Sequence, residues 1–183
     1  MINHTINDMI SQKLLLGTTL SILSLCSLTL GATAGSNPGL TIFSGVDHKD
    51  ILNYYLDFGG NPGQTDRYKL YIPAKKLSQG ASRFFISYPD YFNGVFDTSP
   101  GSIEVRVAGQ SLPLKNVYWD KESRYLEINL AKPIEGSTEV TIVLSNVQNP
   151  NLGTYYFVGD AQISGQIPLR VYIGTWIISI DRN

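Results

Sequence analysis

From residue 67 onward the chain alternates apolar and polar side chains with a period of two, again and again. In RYKLYI, Tyr68, Leu70 and Ile72 share one face while Arg67, Lys69 and Tyr71 share the other. IEVRV sets Ile103, Val105 and Val107 against Glu104 and Arg106, and YLEINL sets Leu126, Ile128 and Leu130 against Glu127 and Asn129. VTIVL aligns Val140, Ile142 and Leu144; LRVYI aligns Leu169, Val171 and Ile173; WIISI ends with Trp176, Ile178 and Ile180. Side chains of an extended strand point to opposite faces in turn, so each run predicts a strand with one face in a core and one in water. A helix has no use for this period.

Turn chemistry separates the runs: AGQS at 108–111, DKES at 120–123 and KPIEGS at 132–137. Only IPAKKLSQGA, at 72–81, suits a helical turn, with Pro73 at its start and Gly80 at its end. Eleven Tyr, 17 Gly and 9 Pro fit short strands joined by turns. The spacing predicts an all-β chain: a single antiparallel, sandwich-like (immunoglobulin-like) domain with its core at about 39–183.

The N-terminus reads differently. From Leu14 to Leu30 the run LLLGTTLSILSLCSLTL carries no charge, Lys13 precedes it, and Ala32-Thr33-Ala34 follows in the small-x-small pattern that signal peptidase accepts. The expectation is a signal peptide over 1–34, cleaved after Ala34, leaving 35–183 as the exported domain. The rival is a retained membrane anchor, for which the run lies at the lower limit of length. Cys26 follows Leu25 rather than a small residue, which argues against lipidation. It is the sole cysteine, so the domain beyond 34 has no disulfide and must hold together by its core. After cleavage, no membrane contact is expected. The formal net charge of −1 gives no electrostatic case for nucleic acid.

Four stretches carry a family resemblance: YPDYFNGVFD (88–97), IEVRVAGQSLPLKNVYWDKESRYLEINL (103–130), VTIVLSNVQNPNLGTYYF (140–157) and IPLRVYIGTWIISI (167–180). With the N-P-x-x-G-T-Y and G-T-W elements they resemble a cyanobacterial family known as domain of unknown function 2808. The resemblance covers most of the chain beyond residue 67. It implies an exported cyanobacterial protein with a mostly β domain, in the periplasm, thylakoid lumen or cell exterior. It implies no activity.

Nucleophilic and metal chemistry are poorly supplied. Beyond the leader, His48 is the only imidazole, and in GVDHKD it reads as a solvated loop residue. No G-x-S-x-G or phosphate-binding loop is present. No catalytic residue, cofactor or metal is expected. Asp47, Asp50, Asp57, Asp66, Asp90, Asp97, Asp120, Glu122 and Asp160 could supply an acid/base pair, though most sit where turns use Asp for its backbone hydrogen bonds. DFGGNPGQTD, from Asp57 to Asp66, lacks the alternating oxygens of an EF-hand and reads as a flexible Gly-rich turn.

Two stretches compete as recognition elements. Tyr88, Tyr91, Phe92 and Phe96 crowd a segment broken by Pro89 and Gly94, and such rings either stack on a ligand or close one end of the sandwich. In SNVQNPNLGTYYFVGD, Pro150 must end a strand, Asn149, Asn151 and Gly153 suit a turn, and Tyr155 re-enters β structure. That stretch reads as a structural corner. The functional expectation is an exported binding or scaffolding module for a protein or glycan partner; the alternative is a carbohydrate-binding module or two-carboxylate glycan hydrolase using the 88–97 rings.

Overall fold

A computed structural model describes residues 45–164 and 167–182. The predicted leader and cleavage site therefore lie outside the described residues. The chain divides between Pro38 and Gly39, and every described residue belongs to the second unit.

Among the described residues, eleven strands build two sheets. The strands are β1 (Ile51–Leu52), β2 (Tyr54–Leu56), β3 (Thr65–Ile72), β4 (Ala81–Ser87), β5 (Ile103–Val107), β6 (Gln110–Ser111), β7 (Leu114–Asp120), β8 (Tyr125–Ile134), β9 (Val140–Gln148), β10 (Gly153–Gln162) and β11 (Arg170–Ile180). The first sheet runs β1-β11-β10-β4-β8-β7 and the second β2-β3-β9-β5-β6. All pairings are antiparallel except β1 with β11, which is parallel. The all-β sandwich expected from the alternation is the observed architecture.

The alternating apolar residues face each other across the two sheets. Tyr68, Leu70, Ile72, Ile128, Ile142, Phe157 and Trp176 are fully buried between them. Removing that apolar surface from water is what holds a cysteine-free domain together. Trp176 Nε1 donates to the Tyr71 carbonyl, so the largest core ring keeps its one donor satisfied. The segment 72–81 holds the expected helical turn, a 3-10 turn at Ala74–Lys76. That turn is capped at Leu77, earlier than the expected end at Gly80; Gly80 closes the following tight turn at φ +71°, where a Cβ would collide with the Ile134 carbonyl.

Three details depart from the alternation. KPIEGS is not wholly a turn: β8 runs on through Pro133 to Ile134, and the turn falls at Gly136–Ser137. Proline is tolerated there because the register between β4 and β8 breaks between Ala81 and Arg83. Leu169 is 53% exposed rather than inward, because β11 starts only at Arg170. The register between β10 and β11 then slips at Gly159/Asp160 and leaves Ile173 as the extra residue of a bulge. In β4, Phe84, Phe85 and Ile86 are all buried, so both faces of that strand are covered.

Candidate recognition surface

The aromatic segment 88–97 closes one end of the sandwich. Tyr88, Phe92 and Phe96 are buried, with Phe92 and Phe96 stacked at 5.2 Å and both rings edge-on to Phe157. Trp119 Nε1 donates to the Tyr88 hydroxyl at 2.7 Å. These three rings are therefore core, a correction to their candidacy as ligand contacts. Crossing from β4 in one sheet to β5 in the other, the segment needs an apolar filling, and its rings supply it. Tyr91 alone stays exposed, at 55%, with its hydroxyl donating to the Thr154 carbonyl.

The stretch 145–160 is where β9 hands over to β10. Asn149 and Pro150 are buried. The Asn149 amide takes a hydrogen bond from Tyr68 on Oδ1 and gives one to the Asn61 carbonyl from Nδ2. Its main chain pairs with Gln64 and Gly63. Asn151 is exposed; its N–H donates to Asn93 Oδ1 and its carbonyl accepts from the Tyr155 hydroxyl. Gly153 opens β10 at φ +155°. Tyr155 and Phe157 both point into the core.

Asp66 performs the same kind of service for the loop from Asp57. Fully buried, its carboxylate accepts from the backbone N–H groups of Phe58, Gly60 and Arg67 and folds DFGGNPGQTD around itself. Four further carboxylates are also engaged. A hydrogen bond from Lys76 holds Asp50 below the usual carboxylate range; Ser102, Ser99 and Asn146 hold Asp97 well below it. Arg106 and Ser111 lower Glu104, and the Ser123 N–H lowers Asp120. A hydrolytic acid needs the opposite shift, upward toward neutral pH. Among the described residues no three His, Cys, Asp or Glu gather where they could hold a metal ion. His48 is exposed in a 3-10 turn at His48–Asp50.

The outer face of the six-stranded sheet is different. Register places Tyr172, Asp160, Phe85, Glu127 and Tyr118 on one line across β11, β10, β4, β8 and β7. The neighbouring line holds Arg170, Gln162, Arg83 and Asn129. Tyr118 and Tyr172 are about half exposed, whereas Phe85 is 7% exposed although it faces outward. Its cover is Arg170, whose guanidinium carbon lies 4.0 Å from the ring centroid, with Arg83 at 5.8 Å. Each arginine is also ion-paired, Arg170 to Asp160 at 2.6 Å and Arg83 to Glu127 at 3.1 Å. Tyr125 links the centre to the edge, 6.4 Å from both Phe85 and Tyr118. Of these outward residues the sequence singled out only Asp160, and that as a candidate acid/base group rather than as part of a surface. Each alone looks like an ordinary solvent-facing strand position, and only the pairing of distant strands brings them into line.

No curated protein matches the chain. Solved structures resemble it in fold. The bacterial hydrophobin BslA is 15% identical with a TM-score of 0.48, covering 73% of this chain and 98% of its own. An uncharacterised immunoglobulin-like protein from Nocardia farcinica is 11% identical, TM-score 0.45, covering 72% and 99%. The collagen-binding domain of a Staphylococcus aureus adhesin is 10% identical, TM-score 0.40, covering 72% and 97%. With its family model matched over residues 40–180, the chain belongs to DUF2808, described as a protein of unknown function.

Proposed function

We propose that this chain is an exported, non-catalytic recognition module, and that its recognition surface is the outer face of the six-stranded sheet. The line Tyr172–Asp160–Phe85–Glu127–Tyr118 carries the reading. Rings and carboxylates alternate there, guanidinium groups flank them on the neighbouring line, and half-exposed tyrosines stand at both ends. Aromatic side chains supply contact area at small entropic cost, and fixed polar groups between them orient a partner. Export is supported by the uncharged run before Ala32-Thr33-Ala34. The address, a cyanobacterial periplasm, thylakoid lumen or cell exterior, rests on the family resemblance.

Retention on washed cyanobacterial envelope tests the face. Protein produced from the full-length chain is sedimented with envelope, beside a Tyr118→Ala/Tyr172→Ala variant and a Tyr55→Ala/Phe58→Ala control in β2 and the turn that follows it. The wild type and control should sediment, and the Tyr118/Tyr172 variant should stay in solution. The proposal fails if that variant sediments like wild type, or if wild type does not sediment.

A further inference from the structure

We infer that the aromatic line takes a neutral oligosaccharide, laid across the strands from Tyr172 to Tyr118. This rests on the outer face being the recognition surface and adds the chemical class of its ligand. The two end rings sit four inter-strand steps apart, roughly 19 Å at the usual strand spacing. An extended, equatorially linked hexose chain advances by close to one such step per sugar, so about five sugars reach both rings. The C–H face of a pyranose is apolar and flat, and it stacks on an exposed tyrosine as other apolar surfaces do.

Between the rings lies what hydroxyl groups need. Arg170 and Arg83 donate, and Asp160 and Glu127 accept. All four are held by their ion pairs and by the Phe85 ring beneath the guanidinium groups. A guanidinium has more N–H donors than one carboxylate partner uses, so pairing positions it without exhausting it. Groups fixed before binding lose little freedom on binding.

Charge selects among ligands. The two arginines and two carboxylates cancel, so the line offers no net field to an acidic polymer or an anionic headgroup. A peptide strand would seek an open sheet edge for its backbone. On β10, β4 and β8 the ladder is already paired on both sides, leaving side chains alone to contact a ligand.

Isothermal titration with cellohexaose, mannohexaose, chitohexaose and xylohexaose tests the inference, with polygalacturonate as the anionic arm. At least one neutral hexasaccharide should bind. Tyr118→Ala and Tyr172→Ala should each weaken it about tenfold, the loss of one stacking contact. Tyr55→Ala should leave it unchanged, and the trisaccharide, which reaches one ring only, should bind more weakly. Both tyrosines are half exposed, and a melting curve for each variant confirms folding. The inference is overturned if no neutral hexasaccharide binds, if only polygalacturonate does, or if binding ignores Tyr118 and Tyr172. Envelope retention that depends on the two tyrosines, with no hexasaccharide binding, rejects the glycan and keeps the face; retention that ignores them rejects the face itself.

Discussion

The Tyr68 hydroxyl donates to Asn149 Oδ1 over 2.7 Å, and both residues are shut off from solvent. Tyr68 belongs to β3 and Asn149 directly follows the end of β9, so this bond ties a central strand to the corner. Burial pushes the Tyr68 phenol far above its ordinary range, leaving it a permanent donor. Asn149→Ala strands that donor and removes one of the two hydrogen bonds on the Asn61 carbonyl, which keeps the one from the Gln64 N–H, at a cost of about 2–3 kcal/mol. Asn151→Ala, at an exposed position, should stay within about 0.5 kcal/mol. Urea titrations of the two variants should show this gap, and equal midpoints would contradict it.

Gly153 and Phe157 test the next strand in two ways. Phe157 is fully buried against Tyr68, Tyr88, Phe92 and Phe96, so Phe157→Ala should cost about 3–5 kcal/mol. At Gly153 there is space for a side chain, the nearest atom to a Cβ being 3.5 Å away, but φ is +155°. Gly153→Val should therefore cost about 1–2 kcal/mol through backbone strain alone. Thermal melts should rank Phe157→Ala well below Gly153→Val. The reverse order would mean the corner, not the core, limits stability.

Asp97 contributes to the acid limb of stability, beside Asp50, Glu104 and Asp120. Its carboxylate accepts from Ser99 N, Ser102 Oγ and Asn146 Nδ2, which lowers its pKa from the ordinary 3.8. A lowered folded pKa means the unfolded chain takes up the proton first. The contribution is complete above about pH 4 and is lost as pH falls through the folded value. Asp97→Asn should lower the melting temperature at pH 7 and flatten its fall below about pH 4. A variant curve parallel to wild type at every pH would exclude this role.

The mature protein should begin at Gly35 and carry no lipid. Intact mass of protein from an exported fraction checks this, and retention of residues 1–34 or a lipid on Cys26 would refute it.

What could be read from the sequence follows the range of the forces involved. Tyr68, Leu70 and Ile72 share a face because adjacent strand residues must alternate, and that rule is local. The burial of Phe84, Phe85 and Ile86 in succession breaks the alternation, since Phe85 is covered by Arg170 from a strand far along the chain. Tyr88, Phe92 and Phe96 show the same limit. Their aromatic character was plain, but whether they faced a ligand or the core depended on Phe157 and Trp119 arriving beneath them. The line from Tyr172 to Tyr118 needed four strand pairings and a bulge before its members met.

The parallel contact of β1 with β11 has a mechanical consequence. β1 opens the strand order and β11 ends it, and they lie side by side with Ile51 opposite Thr175 and Leu52 opposite Trp176. Tension drawn backward from β1 and forward from β11 slides two parallel strands past each other. Their hydrogen bonds are then loaded together in shear, not peeled apart one at a time. Trp176, locked in the core beside Leu52, resists the first increment of that slide. Pulled backward from β1 and forward from β11, this short ladder should part abruptly rather than unravel pair by pair.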